Sequence, residues 1–226
     1  MRPYSDRESR NKFIANTFEK YLKGSVLNVG GGGKKHLLQY TNPLEYLELD
    51  IEGSPDIHID LEKEYPINIK SNSFDTIICT DVLEHLDEFH RVFDELIRIS
   101  KQYVIISLPN GIPNAKTIFK GTPYKGEAGK AGINVGLFSK QYGLPLTKPY
   151  DRHKWFFSYT EIENFIKSKS EELKFEIIDA FPINTYRFSL KNLFIKTLLN
   201  LLIGKKGIEN YYYSTFWCVL GVKKIV

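Results

Sequence analysis

The chain has 226 residues, of which 42% are hydrophobic and 14% aromatic, and its formal net charge is +4. This length suffices for one well-cored domain, and the charge is too small to indicate a nucleic-acid-binding protein. No apolar run approaches the roughly 20 residues of a membrane span, and residues 1–6 are too polar for a signal peptide. We therefore expect a cytoplasmic protein.

The two cysteines, Cys79 and Cys218, both lie in apolar, strand-like runs. This placement favours reduced core residues over a disulfide or a pair of metal ligands. The spacing of His, Cys and Asp along the chain likewise indicates no metal site.

Hydrophobic periodicity predicts strands alternating with helices, which is typical of a three-layer α/β domain. We expect amphipathic helices over 8–22, 82–100 and 190–203, and a short helix that begins with the run 34–38 and stops near Asn42–Pro43. A further helix begins with Ser158 or Thr160 as its N-cap. Strand one begins at residue 25, and the other expected strands cover residues 44–51, 57–60, 73–80, 103–108, 174–180 and 212–223. No helix fits between the second and third strands.

Strand one ends in a run of four glycines, Gly30–Gly33, which presents bare backbone N–H groups to a small molecule. Ligands on α/β sheets bind at the carboxyl ends of the strands, which here also carry Asp50, Asp60, Thr80–Asp81 and Pro109–Asn110. Asp50 lies about 20 residues after the first glycine, where a ribose needs a carboxylate acceptor. Asp60 could accept from an adenine amino group or cap a turn, whereas Asp75 precedes its strand and is expected to be structural.

The stretches Leu27–Gly32 and Ser73–Leu86, with Asp50 between them, resemble the class I S-adenosylmethionine-dependent methyltransferases. The similarity is strongest to the type 11 small-molecule branch, which includes ubiquinone- and biotin-pathway enzymes. It depends mainly on Phe-Asp-x-Ile-x-Cys-x-Asp-Val-Leu-Glu-His at 74–85 and covers about residues 25–110. The resemblance implies a Rossmann-like sheet of order 3-2-1-4-5-7-6 with an antiparallel last strand.

The same resemblance implies S-adenosylmethionine as the cofactor and S-adenosylhomocysteine as the product. Carried over position by position, it places the glycines under the methionine part, Asp50 at the ribose, and Asp60 near the adenine. The full cofactor-binding set is Asn28, Gly30, Gly31, Gly32, Asp50, Ile51, Asp60, Leu61, Thr80, Asp81 and Val82. Two positions depart from the family: it usually has Asp or Glu at Asn28, and Lys34 replaces its third glycine.

Methyl transfer from a sulfonium is an in-line displacement that needs mainly alignment, but a hydroxyl acceptor would gain from a base near neutral pKa. Two histidines are therefore candidate catalytic residues. His153 is the preferred base, although it could be a plain surface residue. His85 could face the site, but packing of its helix is the favoured interpretation. We expect Asn110, Arg152 and Trp155 on the acceptor side.

Residues 111–155 carry eight Lys and Arg residues against two acidic ones, which leaves the rest of the chain at −2. A connection this long is usually functional or disordered, so we expect it to cover the acceptor pocket. Its charge favours an anionic acceptor, such as a phosphorylated, nucleotide-linked or glycan molecule, although a solvated lysine-rich loop has the same composition. The lysine-bearing helix at 190–206 could also touch an anionic membrane surface.

These predictions describe a single methyltransferase domain over 1–226. Its parts are an N-terminal helix (1–24), a cofactor-binding half (25–110), a capping insertion (111–155) and a C-terminal half (156–226) with a helical insertion at 188–206. The expected reaction is O-methylation of a small acceptor. Three alternatives stay open: a non-catalytic S-adenosylmethionine-binding protein, an RNA methyltransferase and a nicotinamide-dependent dehydrogenase.

Overall fold

A seven-stranded sheet forms the framework of the computed structural model, which describes residues 4–113, 152–184 and 190–222, except the side chains of 190–192 and 195. The strands are β1 (Ser25–Val29), β2 (Glu45–Asp50), β3 (Ile57–His58), β4 (Phe74–Thr80), β5 (Ser100–Pro109), β6 (Glu176–Asn184) and β7 (Tyr213–Gly221). Their order is β3-β2-β1-β4-β5-β7-β6. The five neighbouring strands β3, β2, β1, β4 and β5 are parallel to one another. Strand β7 is antiparallel to both of its neighbours, β5 and β6. The expected strand order and the antiparallel last strand are confirmed.

Helices cover both faces of the sheet and make the domain three-layered, as predicted. The helices are α1 (Arg7–Phe18), α2 (Phe89–Ile99), α3 (Tyr159–Leu173) and α4 (Leu190–Tyr212). Adjacent residues of β4 show the two faces, since Ile77 packs in the core that contains α2 and α3, whereas Ile78 packs in the core that contains α1. Both side chains are fully buried because successive strand residues point to opposite faces.

Two predicted helices are wrong in part. The stretch 34–38 forms no α-helix; a single 3-10 turn spans Leu37–Tyr40, because Lys35 adopts a left-handed φ of 49° that interrupts helical geometry. The expected long helix over 82–100 is divided into a 3-10 turn at Leu83–His85 and α2. Ser100 already belongs to β5.

Structural expectations at other positions are confirmed. Asp75 lies at the amino end of β4, where its Oδ2 accepts from the Ser25 N–H (2.8 Å) and hydroxyl (2.9 Å). The hydrogen bond from the Ser25 backbone N–H lowers the Asp75 pKa, although partial burial opposes it. Cys79 and Cys218 are free and buried, and burial raises the pKa of both thiols. The proposed capping insertion stays a prediction, since its residues 114–151 lie outside the described part of the chain.

Candidate active site

The glycine loop turns directly out of β1 and packs against the end of β4. The Gly30 N–H donates to the Leu49 carbonyl (2.8 Å), which ties the loop to β2. Gly30 has a φ of 78°, and a Cβ at this position would lie 2.2 Å from Val82 Cγ2. Only glycine permits both this backbone conformation and this close approach. The loop and Val82, two elements of the predicted cofactor site, are therefore in contact.

Asp50 ends β2 beside the glycine loop. Its Oδ2 accepts from the Gly32 N–H (2.7 Å), and its Oδ1 accepts from the N–H groups of Ile51 (2.7 Å) and Glu52 (3.0 Å). A carboxylate held by backbone N–H groups keeps a fixed orientation and retains lone pairs for further donors. Asp50 therefore lies where the sequence analysis expected a ribose acceptor, while the neighbouring Ile51 side chain is half exposed.

A buried polar network lies beneath the loop. Asn28 Nδ2 donates to the Tyr46 hydroxyl (2.9 Å) and to Glu48 Oε1 (3.3 Å), and the Tyr46 hydroxyl also donates to Glu48 Oε1 (2.9 Å). Glu48 is fully buried, and its Oε2 accepts from the Lys35 N–H (3.0 Å). Burial and the charge of Glu48 raise the Tyr46 pKa. Glu48 was not among the predicted site residues, although a charged residue two positions before Asp50 in a buried strand indicates a buried polar site.

Asp60 and Leu61 lie just after the end of β3. The Asp60 carboxylate pairs with Lys63 Nζ (2.8 Å) and accepts from the Glu62 N–H (3.0 Å). The hydrogen bond from Lys63 lowers the Asp60 pKa. In this structure Asp60 thus caps a turn, which is the second of the two roles considered for it, while Leu61 packs partly buried against the core.

Thr80, Asp81 and Val82 form the exit from β4, and α1 reaches them from the opposite side. Asp81 has a left-handed φ of 53° and accepts from the Ser107 hydroxyl (2.8 Å). Its other oxygen pairs with the Arg10 guanidinium. Arg10 was missed by sequence analysis because its α1 helix reads as a plain amphipathic helix.

A second arginine of α1 lies over the loop itself. Arg7 Nη1 is 2.8 Å from where a Gly32 Cβ would lie, and together with Arg10 it lines the cleft between α1 and the loop. This cleft has a volume of only about 10 Å³. A nucleoside is too large for this cleft as it stands.

The two predicted catalytic histidines both lie near Glu84, which was not among the predicted site residues. His85 Nε2 and His153 Nε2 lie 3.8 and 3.9 Å from Glu84 Oε1, and the two imidazole rings are 4.5 Å apart at 83°. Glu84 is fully buried. His85 belongs to the 3-10 turn that follows Val82, so this cluster adjoins the predicted sulfonium end of the cofactor site.

The predicted acceptor-side residues differ in their surroundings. Asn110 is buried, its Nδ2 donates to the carbonyls of Asn210 (2.7 Å) and Tyr213 (2.6 Å), and its Oδ1 accepts from the Ile112 N–H (2.9 Å). These bonds join β5 to the start of β7, which gives Asn110 a structural role.

Arg152 and Trp155 flank the segment that carries His153. Arg152 is partly buried next to His153. Trp155 donates through Nε1 to the Leu86 carbonyl (2.6 Å) and lines a cavity of about 330 Å³. Most of the cavity wall is aromatic, from Phe89, His90, Trp155, Phe156, Phe157 and Phe165.

The residues at the strand ends fit S-adenosylmethionine, the cofactor implied by the resemblance. A Cβ on Gly31 would fall 2.5 Å from Glu48 Oε1, so the loop's backbone lies close over the buried network and leaves its outer side to a ligand. The Asp50 carboxylate could accept from ribose hydroxyls, and the α1 arginines could pair with the cofactor's carboxylate. The donor set therefore matches the chemistry of this cofactor.

Comparison with known proteins agrees with this geometry. A family model described as a methyltransferase domain matches residues 30–107, from the glycine loop to β5. No curated protein sequence matches the chain.

Solved structures match over almost the whole chain. The [4+2]-cyclase SpnF aligns with a TM-score of 0.56 at 11% identity, covering 98% of this chain and 83% of its own. A candidate methyltransferase from Bacillus halodurans gives 0.53 at 12% identity, over 93% and 99%. A chain from the complex between the Haloferax volcanii Trm112 methyltransferase activator and a candidate methyltransferase gives 0.51 at 11% identity, over 97% and 95%.

Identities this low show a shared fold only, and SpnF shows that proteins of this fold are not all described as methyltransferases. The domain match adds that residues 30–107 resemble a methyltransferase domain, which favours S-adenosylmethionine over a nicotinamide cofactor. Residues 30–107 thus match a methyltransferase domain, and the seven-stranded sheet has the strand order of the class I methyltransferase fold.

Proposed function

We propose that the chain methylates an oxygen of a small acceptor that is anionic or glycan-related. The observation that carries this proposal is the junction at Asp81–His85. Val82 of this segment lies against the glycine loop, Glu84 and His85 form the cluster with His153, and the nearby Trp155 lines the aromatic cavity. A donor and an acceptor bound next to one short segment can be aligned for an in-line displacement.

Bound S-adenosylmethionine supplies a methyl carbon on a positively charged sulfur. The chain's own residues bind and orient: Asp50 accepts from ribose hydroxyls, and Gly30–Gly32 allow close approach of the methionine part. Arg7 and Arg10 would hold its carboxylate, for which Arg10 would have to leave Asp81, and Asp81 would remain bound by the Ser107 hydroxyl.

Two features support the acceptor class. The cavity of about 330 Å³ suits a small molecule with an apolar or ring-shaped part, since five of its lining side chains are Phe or Trp. The surplus of basic residues in 111–155 supports a negative charge on the acceptor. Lys154 itself is balanced by Glu62 and Asp87, so this support comes from the composition of the segment.

Calorimetric titration with S-adenosylhomocysteine tests the cofactor step. We expect Asp50→Asn to weaken binding at least tenfold, because an amide accepts through only one oxygen, whereas Asp179→Asn at an exposed position of β6 leaves it unchanged. NADH should not bind. Equal affinity of the Asp50→Asn variant and the wild type would contradict the assigned cofactor site.

The acceptor class is tested by S-adenosylhomocysteine formation with sugar phosphates, nucleotide sugars, phenolic acids and neutral phenols. Turnover with anionic or sugar acceptors supports the proposal. Turnover confined to neutral phenols or to transfer RNA would overturn the acceptor class, and cofactor binding without turnover on any of them would favour the non-catalytic alternative.

A second role, contact with an anionic membrane surface, is favoured by the outer face of α4. Phe194, Leu201 and Leu202 are 70%, 79% and 71% exposed. Residues 190–206 contain four lysines and no acidic residue. None of the described helices combines the length and apolarity needed to cross a bilayer. An exposed apolar face with lysines around it is typical of a helix that lies in the plane of an anionic interface.

Co-sedimentation with lipid vesicles tests this contact. We expect binding to phosphatidylglycerol vesicles, little binding to phosphatidylcholine vesicles, and an at least fivefold loss in the Leu201→Ser/Leu202→Ser variant. Leu44→Ser is the matched control, since Leu44 is 91% exposed but lies next to β2. Unchanged binding by the double variant would overturn the proposal. So would a concentration-dependent dimer that the double variant abolishes, because a second copy would then cover the face.

A further inference from the structure

The Glu84–His85–His153 cluster brings together three side chains from two separate parts of the chain. Each offers one potential ligand atom, and these atoms all lie within 4.8 Å of one another. The distances of 3.8 and 3.9 Å from Glu84 Oε1 to the two imidazole Nε2 atoms exceed those of a hydrogen bond. These three atoms therefore do not hydrogen-bond directly to one another.

The spacing is close to that of ligands around one cation. Zinc and similar ions bind imidazole nitrogen and carboxylate oxygen at about 2.0–2.2 Å, which places neighbouring ligand atoms roughly 3.0–3.5 Å apart. Movements of about half an ångström would bring Glu84 Oε1 and the two histidine nitrogens to that separation, and ligand atoms as much as 4.8 Å apart would have to approach by more than about 1 Å.

The backbone fixes the two halves of the cluster against each other. The N–H groups of Lys154 (2.8 Å) and Trp155 (3.3 Å) both donate to the Glu84 carbonyl, and Trp155 Nε1 donates to the Leu86 carbonyl. Lys154 Nζ adds an ion pair with Asp87 Oδ2 (2.6 Å). His153 is thus held next to Glu84 by bonds that do not involve its own side chain, and a preorganised ligand set of this kind lowers the cost of binding an ion.

The surroundings favour a charged occupant. Glu84 is fully buried, and the side chain of His153 is only 9% exposed. A divalent cation at the centre of the three side chains would place positive charge beside this carboxylate.

We propose that Glu84, His85 and His153 bind one divalent first-row transition-metal ion such as Zn²⁺, Mn²⁺ or Co²⁺. Two imidazoles and one carboxylate suit these ions better than Ca²⁺, which prefers oxygen ligands alone. Three protein ligands leave at least one coordination position for water or for an acceptor oxygen.

The ion's place next to Val82 gives it a role that rests on the proposed function. A metal ion holds an acceptor hydroxyl and lowers its pKa, so that the proton passes to solvent before transfer. The oxygen then forms its bond to the methyl carbon while the carbon–sulfur bond breaks and its electron pair stays on sulfur. His85 and His153 act as ligands in this scheme, in place of the general base expected from the sequence.

Metal titration of the chelator-treated full chain tests the site without any acceptor. We expect one equivalent of Co²⁺ to bind with the visible absorption bands of an inner-sphere complex, and Zn²⁺ to displace it. His153→Gln should lower the affinity at least a hundredfold. His58→Gln is the matched control, since His58 is exposed in β3, and it should bind as the wild type does.

Binding of S-adenosylhomocysteine reports the folding of each variant. His153→Gln should retain it, and this comparison stays informative even where Glu84→Gln, at a buried position, fails to fold. Absence of stoichiometric metal binding, or binding unaffected by His153→Gln, would overturn the proposal. A chain that binds the ion but methylates no acceptor would contradict the proposed function and leave the metal site in place.

Discussion

Asn28 and Glu48 share one buried site under the glycine loop, where they are paired neighbours in the register between β1 and β2. The family usually has an acidic residue at the position of Asn28. Here the carboxylate comes from the adjacent strand, and Asn28 supplies the amide donor that binds it. The loop therefore still lies over one buried carboxylate, which Glu48 provides in place of an acidic residue at position 28.

This pairing predicts that the family's usual residue is harmful in this chain. Asn28→Asp removes the Nδ2 donor and places two carboxylates in one buried site. We expect the free energy of unfolding to fall by about 3 kcal/mol at pH 7, as for a buried charge without a partner. Repulsion raises the pKa of the introduced carboxyl in the folded state. Stability should therefore recover as the pH falls toward about 4 and decline as it rises through the raised pKa.

Urea denaturation between pH 4 and pH 8 measures this effect. The Asn28→Asp/Glu48→Gln double variant exchanges the acid and the amide between the strands, and it should regain more than half of the lost stability at pH 7. Single and double variants of equal stability at pH 7 would show that the two side chains do not interact, contrary to the structure.

Among the elements, helices with strong local signals were predictable. Ser158 is the N-cap of α3 and forms a capping box with Glu161, whose N–H donates to the Ser158 hydroxyl (3.2 Å) while its carboxylate accepts from the Ser158 N–H (2.7 Å). From the sequence, either Ser158 or Thr160 could be the N-cap of this helix. Thr160 instead donates its N–H and hydroxyl to Asn210 Oδ1, a contact fifty residues away that no local pattern reveals.

The segment after the glycine loop shows the opposite case. Its residues are compatible with a helix, but the Lys35 N–H is bound by Glu48 Oε2 and the Lys35 side chain by Asp56 Oδ1 (2.7 Å). These two contacts hold Lys35 in its left-handed conformation. Tertiary contacts override local propensity here, since propensity differences amount to less than about 1 kcal/mol per residue.

At the scale of the whole molecule, some site residues could be predicted from the sequence, whereas others come together only through contacts between distant parts of the chain. The glycine loop, Asp50 and the β4 exit could be predicted because parallel strands bring their carboxyl ends to one edge. Arg10 at Asp81 and His153 at Glu84 could not, because each pair is separated by about seventy residues and depends on how helices and loops pack. Local spacing could not reveal the proposed metal site for the same reason.

The packing of the N-terminus against the rest of the chain gives the last prediction. Trp217 Nε1 of β7 donates to the Tyr4 hydroxyl (2.9 Å), and α1 then runs across the cleft so that Arg7 lies over Gly32. We expect Arg7→Met to weaken S-adenosylhomocysteine binding about tenfold, in line with one lost charge-assisted hydrogen bond. Binding of 5′-methylthioadenosine, which lacks the carboxylate, should be unchanged or stronger.

Calorimetry with both ligands measures this difference, and Lys12→Met is the matched control, because Lys12 lies on the same helix but pairs with Glu8. A loss of equal size for both ligands would mean that Arg7 supports the cleft as a whole and does not bind the carboxylate. A selective loss for S-adenosylhomocysteine would give α1 a direct part in cofactor binding. The cofactor site would then be built from three distant parts of the chain: the N-terminal helix, the glycine loop and the end of β4.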